Sequence, residues 1–221
     1  MTCLLCHQPL DHSAILSDIL FSLKNKQSTC QICRDKFELI DPTNHCPTCF
    51  RPNTNNQCQD CQYWENTGVQ VNHQALYSYN SAMKEYISRY KFQGDYRLRE
   101  VFAMELKNAL KIYQDYTIVP VPLSAKSYQK RQFNQVTGLL DAANTAYQDI
   151  LDKKHGKKQS SKNRQERLKS SHQFHLKDGQ KLPERVLLVD DIYTTGSTLM
   201  QIKQLLLDDG VKNVKTFSLS R

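Results

Sequence analysis

From about residue 75 onward, short apolar runs alternate with apolar residues at helical spacing. Leu76 to Tyr79 predicts a strand, and Ser81 to Tyr90 a short helix stopped by a turn at Gly94. Leu98, Val101, Phe102, Leu106, Ala109 and Leu110 recur three and four apart, the stripe of a helix that faces a core. Thr117 to Val121 is a short apolar strand closed by the Pro120-Val121-Pro122 corner. Val136, Leu139, Leu140, Ala143 and Tyr147 mark another amphipathic helix. Arg185 to Val189 has the composition of a buried strand and runs into Asp190-Asp191 and a Thr/Gly/Ser loop. A helix with Leu199, Ile202, Leu205 and Leu206, a turn at Gly210 and a last strand from Val214 to Leu219 complete the chain. This alternation predicts an α/β fold, a mostly parallel sheet with helices on both faces.

The first 66 residues are of another kind. All eight cysteines fall there, in four pairs of identical form: Cys3/Cys6, Cys30/Cys33, Cys46/Cys49 and Cys58/Cys61. A C-x-x-C turn lets two thiolates converge on one metal, and two such turns complete a tetrahedral four-sulfur shell, so eight ligands imply two structural zinc ions. The competing disulfide reading needs an oxidising compartment, against which the N-terminus argues: Cys3, Cys6, His7 and Pro9 stand where a signal peptide would carry basic and apolar regions. The segment also nearly repeats itself, CLLCHQPL with CQICRDKF and CPTCFRP with CQDCQYW. Ligation of neighbouring pairs is the simplest arrangement; an interleaved cross-brace would use the same residues. His7 and His45 adjoin ligand cysteines but are surplus to four thiolates per metal. Two domains are therefore expected, a zinc module over 1–66, whose small core makes its folding depend on metal, and an α/β domain over 67–221.

Charge sharpens the division. Residues 1 to 66 hold five Lys/Arg against seven Asp/Glu, and residues 67 to 221 hold 25 against 15, a net of +10. Lys153, Lys154, Lys157, Lys158, Lys162, Arg164, Arg167 and Lys169 face only Glu166. Such a run reads either as a contact for a polyanion or as a lysine-rich solvated loop. Two zinc ions on eight thiolates would make the module more acidic still, a poor sole anchor for nucleic acid. Hydrophobic residues at 39% exclude overall disorder, and no apolar stretch approaches the roughly 18 residues of a spanning helix, so no membrane insertion and a cytoplasmic location are expected.

Chemistry concentrates in VLLVDDIYTTGST, residues 186 to 198. At the carboxyl end of a parallel strand, side chains enter the crevice where open α/β sheets bind ligands. There Asp190 and Asp191 can accept hydrogen bonds from a sugar's paired hydroxyls. Thr194, Thr195, Gly196, Ser197 and Thr198 then supply backbone N–H groups, hydroxyl donors and a following helix N-terminus, the makings of a phosphate cup. A carboxylate pair beside a phosphate cup describes a ribose 5-phosphate site. No G-x-x-x-x-G-K-[ST] occurs, which excludes a Walker A loop.

These residues resemble the phosphoribosyl pyrophosphate (PRPP) loop of type I phosphoribosyltransferases. IVPVPLS at 118 to 124, RQFNQ at 131 to 135, RQERLKSSHQF at 164 to 174 and the cysteine-rich N-terminus narrow the match to the ComF/GntX-like phosphoribosyltransferase family. The sequence departs from that pattern at Gln132, where the family carries Gly, and at Lys169 or Ser171, where many relatives carry Asn. The resemblance implies a type I phosphoribosyltransferase-like parallel sheet with PRPP bound together with Mg²⁺. It places the loop after Val121 near the pyrophosphate, with Arg131 as the cation that reaches it and Lys126 and Lys130 as substitutes. Tyr77, Tyr79 and Tyr86 can stack on a nucleobase or simply pack at a domain junction.

Three functions follow from the resemblance and the charge. The first is a late competence protein that handles single-stranded DNA during uptake in natural transformation, at the inner face of the membrane through the uptake machinery. The second is an active phosphoribosyltransferase with an acceptor the sequence does not name. The third is a PRPP-gated adaptor without turnover that docks a ComFA-like helicase.

Overall fold

The computed structural model describes residues 1–10, 28–153 and 173–221. Its cysteine-rich part carries two short helices, α1 (Gln31–Arg34) and α2 (Gln59–Asn66). Strand β1 (His73–Tyr77) then leads into helix α3 (Ser81–Phe92), capped by the Asn80 side chain, which accepts from the Met83 N–H at 3.0 Å. A 3₁₀ turn (Tyr96–Glu100) and α4 (Ala103–Leu110) precede β2 (Thr117–Pro120). Helices α5 (Ala125–Arg131) and α6 (Gln135–Ala142) follow, then β3 (Leu151–Lys153), β4 (Phe174–Leu176), β5 (Arg185–Ile192), α7 (Ser197–Asp208) and β6 (Asn213–Ser220).

The sheet runs β1-β6-β5-β2 with every neighbouring pair parallel, and β3 and β4 form a separate antiparallel pair. Alternation along the central strands divides the core in two, as a pleat requires. Leu187, Val189, Phe217 and Leu219 point to the face covered by α3, α4 and α6, where they meet Tyr86, Leu106 and Leu139. Val186, Leu188 and Val214 point to the opposite face, against Leu199, Ile202 and Leu206 of α7. The cysteines at 46, 49, 58 and 61 belong to that second apolar cluster, so the C-terminal half of the cysteine-rich segment is built onto the sheet. Among the described residues no helix is long and apolar enough to cross a membrane.

The elements differ from the sequence pattern where buried polar residues or local turns intervene. Strand β1 begins at His73 because its imidazole is buried and bonded to the Thr216 and Ser218 hydroxyls at 2.9 and 3.0 Å. Hydropathy does not register such a residue as core. The stripe from Leu98 to Leu110 is broken between its 3₁₀ turn and α4, while its apolar residues stay on the core side. Helix α6 stops at Ala142, with Asn144 left-handed at φ 50°, so Tyr147 packs from the loop beyond.

Between β5 and α7 the chain turns at Gly196, φ 81°, with the Tyr193 ring packed directly against it. An added Cβ would overlap the Tyr193 hydroxyl. Gly196→Ala should therefore cost at least the roughly 1–2 kcal/mol of a left-handed residue. Urea unfolding measures this, and wild-type stability would show that the turn relaxes freely.

Candidate functional site

Two cysteine clusters and one crevice hold the chemistry. The thiols gather in sequential order, Cys3, Cys6, Cys30 and Cys33 in one group and Cys46, Cys49, Cys58 and Cys61 in the other, the sulfurs of each all within 4.8 Å of one another. Individual separations of 3.5 Å (Cys49–Cys58), 3.6 Å (Cys58–Cys61), 3.7 Å (Cys6–Cys30) and 3.9 Å (Cys46–Cys61) match the edges of a tetrahedron. A zinc ion with Zn–S bonds of about 2.3 Å spaces its sulfurs about 3.8 Å apart. All eight cysteines are free.

The local backbone explains the convergence. Each cluster opens with a knuckle in which the residue after the second cysteine is left-handed, His7 at φ 62° and Phe50 at φ 59°. The turn is closed the same way twice: His7 N–H to Cys3 O and Phe50 N–H to Cys46 O, both 2.9 Å. Each cluster ends on a helix whose N-cap is a cysteine, Cys30 for α1 and Cys58 for α2. The Cys30 and Cys58 N–H groups donate back to the Cys3 and Cys46 sulfurs at 3.3 and 3.4 Å. The near-repeat of the sequence is thus a repeat of structure, knuckle then helix cap. His45 stacks on Phe50 and neither His7 nor His45 joins a cluster.

Without a cation the four thiols of the second cluster cannot all ionise. The Cys61 thiol, donating to Cys49, lowers the Cys49 pKa to about 5, helped by the Arg221 guanidinium. The same contact, with burial, drives Cys61 upward. One thiolate is favoured at the expense of its neighbour, which is the frustration a dication removes.

The crevice lies at the carboxyl ends of β5 and β6. Asp191 is buried and Asp190 half-buried, and the Asp191 carboxylate pairs with the Lys91 ammonium at the end of α3. Burial, and then the Asp191 charge, push the Asp190 carboxyl well above the usual carboxylate range, while Lys91 pulls the other way. Around the next turn Thr194, Thr195 and Ser197 are exposed, Thr198 is half-buried and Gly196 is buried. Among the described residues, no hydrogen bond is donated by the N–H groups of Thr194, Thr195 or Gly196. Helix α7 adds its own free first-turn donors, since no side chain caps it.

Arg131 is brought to the same region: its guanidinium lies 5.2 Å over the ring of Phe92, the residue after Lys91, and donates to Gln135 Oε1 at 2.9 Å. Lys126 and Lys130 are exposed on α5. Gln132 caps α5 in the left-handed conformation, φ 65°, which is the geometry a glycine serves most cheaply. Tyr77 and Tyr86 are buried in the core and Tyr79 is 43% exposed. Lys153 ends β3, its ammonium 4.9 Å over the Phe174 ring, and bridges to Ser124. Lys154, Lys157, Lys158, Lys162, Arg164, Arg167 and Lys169 lie outside the described residues.

Three contacts at these sites escape the sequence pattern: Lys91 on Asp191, Arg221 on the second cluster and Trp64 on the turn after β5. Each joins residues 100 or more positions apart, beyond any local motif. A lone tryptophan just after the last C-x-x-C pair was the one available signal.

A parallel sheet with an acidic pair and a hydroxyl-rich turn at one strand end defines a phosphoribosyl transferase domain, and residues 101–220 match the family model of that description. Competence protein ComFC of Streptococcus pneumoniae is 46% identical over the full length of both chains. Competence protein ComFC of Bacillus subtilis is 33% identical over all of this chain and 95% of its own. Competence protein F of Haemophilus influenzae is 32% identical over 61% of this chain and 66% of its own. The chain belongs to the ComFC-like phosphoribosyltransferase family. Two crystal forms of a hypoxanthine phosphoribosyltransferase from Staphylococcus aureus align at a TM-score of 0.34, 23% and 22% identical over 56% and 64% of this chain and 63% and 73% of theirs. At that score the likeness adds nothing to the fold already described.

The two thiol tetrahedra should hold two zinc ions per chain. Native mass spectrometry gives the count directly; a folded metal-free chain, or one with intact disulfides, would contradict it.

Proposed function

We propose that this chain is a competence protein that handles single-stranded DNA during uptake in natural transformation, on the cytoplasmic side, and that its crevice binds PRPP with Mg²⁺. The observation that carries the ligand is the end of β5, where Asp190 and Asp191 adjoin a turn of unengaged N–H groups. The two carboxylates accept from the ribose 2- and 3-hydroxyls while the turn and the α7 N-terminus take the 5-phosphate. Lys91 and Arg131 stand on the side where a pyrophosphate at C1 would need cations. Mg²⁺ neutralises charge on that pyrophosphate when bound. Lys91 pairs with the Asp191 carboxylate inside the crevice.

The DNA half rests on other support. The two full-length relatives are both competence proteins. Residues 67 to 221 carry the net charge of +10. Beside the crevice, exposed aromatics pair with arginines: Phe92, 62% exposed, under Arg131, and Tyr96, 38% exposed, under Arg99 at 4.2 Å. Aromatic faces next to cations suit stacking of unpaired bases along a neutralised backbone.

Asp190→Asn with Asp191→Asn should weaken PRPP·Mg²⁺ binding by roughly 1.5–3 kcal/mol per lost charge-assisted contact. Because the Asp190 carboxyl is raised, affinity should also fall on acidification at a pH above the ordinary carboxylate range. Calorimetry reads both, and unchanged affinity in the double variant would remove the site.

Oligonucleotide binding should fall with salt at a log-log slope of about −0.7 per phosphate neutralised. Replacing Lys153, Lys154, Lys157 and Lys158 by Ser should flatten that slope while zinc content and PRPP affinity stay as they were. The wild-type slope in that variant would reduce the run to a solvated loop.

A further inference from the structure

We propose that the second cysteine cluster sets the shape of the phosphate cup, with Arg221 and Trp64 as the positioning residues that connect them; this rests on the crevice being the PRPP site. Strand β6 delivers Arg221 to the same sheet edge to which β5 delivers the acidic pair, and backbone bonds with Tyr77 and Tyr79 at 2.9 Å hold it there. One guanidinium nitrogen faces the cluster, 3.3 Å from the Cys49 sulfur, 4.0 Å from that of Cys58 and 3.3 Å from Asp60 Oδ2. The other donates to the carbonyls of Tyr193, at 3.4 Å, and Thr194. The plane lies over the Tyr193 ring, 4.6 Å from its centroid, and His73 packs on that ring at 4.2 Å.

Trp64 makes the second connection. Helix α2 starts on Cys58 and carries Cys61, and Trp64 lies one turn beyond Cys61 on the same face. Its indole N–H donates to Thr195 O at 2.8 Å. A metal that fixes Cys58 and Cys61 therefore fixes the helix, and the helix fixes the donor.

The consequence follows from the planarity of the peptide bond. In a trans peptide the C=O of one residue and the N–H of the next point in opposite directions. The carbonyls of Tyr193 and Thr194 are held by Arg221 and that of Thr195 by Trp64, and none of these bonds is cis. The N–H groups of Thr194, Thr195 and Gly196 are thereby turned to the other side, where they have no partner among the described residues. Three consecutive donors directed away from the cluster form the anion-binding concavity. Arg221 does a second thing. A zinc ion with four thiolates carries two negative charges, and the guanidinium stands between that charge and the arriving phosphate.

Among the described residues the first cluster has no such connection. Its ties run to Arg89, which donates to Leu4 O and Leu5 O at 3.2 and 2.8 Å, and from Arg34 to Glu105. The two clusters should accordingly differ in what they control.

The test uses the full-length zinc-loaded chain with PRPP·Mg²⁺ as probe, in wild type, Trp64→Phe, Arg221→Lys and, as control, Arg34→Gln. Native mass spectrometry should return two zinc ions for Trp64→Phe, which leaves every thiolate contact alone. By calorimetry Trp64→Phe and Arg221→Lys should each bind about tenfold more weakly, the loss of a hydrogen bond worth roughly 1.4 kcal/mol, and Arg34→Gln within twofold of wild type. Wild-type affinity in Trp64→Phe with both metals in place would overturn the proposal. If the wild type itself fails to bind PRPP, the crevice reading fails separately, and the connection is judged on the ligand-free protein. Trp64 is the chain's one tryptophan. Its emission should then move to the red in Arg221→Lys and in Cys49→Ser but not in Arg34→Gln, and unchanged emission in all three would overturn it.

Discussion

Four thiolates within 4.8 Å of one another repel too strongly to coexist unless a cation sits among them. That constraint organises the N-terminal third of the chain. The knuckles, the left-handed residues that close them and the cysteine helix caps all serve to bring sulfurs to a separation that only a metal makes favourable. It also explains the partial compensation by Arg221, whose guanidinium is nearly buried, its side chain 7% exposed, and would be costly there without the anionic sulfurs and Asp60 around it. Cluster and arginine need each other, and the loop carbonyls take the donors left over.

The crevice obeys a similar balance with the signs reversed. At the strand end, burial and then the neighbouring Asp191 charge raise the Asp190 carboxyl. Lys91 relieves the tension from α3, a helix on the opposite side of the chain's sequence from the loop it serves. Two acids, two cations and a row of N–H groups without partners among the described residues are what the proposed ligand, with both hydroxyls and phosphates, would require. An anion alone would be repelled by the aspartates, and a polyol alone would leave the donors unanswered.

What the sequence made legible was local. The C-x-x-C pairs, the acidic pair with its hydroxyl-rich turn, and most strands and helices lie within windows of about ten residues, so their chemistry is visible in order. The sequential grouping of the thiols was not, because a cross-brace uses the same spacing; it took the repeated knuckle-and-cap geometry to separate them. His73 shifted β1 toward the N-terminus because a buried imidazole satisfied by two hydroxyls reads as polar. Gln132 is the opposite case: its departure from a family glycine marked a position whose left-handed backbone the structure then displays. Lys91, Trp64 and Arg221 stayed hidden because their partners are assigned by the sheet order β1-β6-β5-β2, which no run of residues spells out.

The distribution of charge limits where a polyanion can approach. Two zinc ions on eight thiolates would add four negative charges to a segment that already has more acids than bases, while the remaining 155 residues carry a net of +10. A nucleic acid strand of the kind proposed would be steered along such a gradient, away from the knuckles and toward the sheet domain. On that domain the base of the β3–β4 pair adjoins Ser124, just before α5. Helix α5 leads in turn to Arg131, whose guanidinium covers Phe92 beside Lys91. Lys153, the described end of the basic run, is therefore linked through Ser124 and α5 to the cation that would reach a pyrophosphate. On the proposed reading the cysteine-rich segment would contribute to binding from behind, by holding the turn in shape, because its own net charge has the wrong sign to contribute from the front.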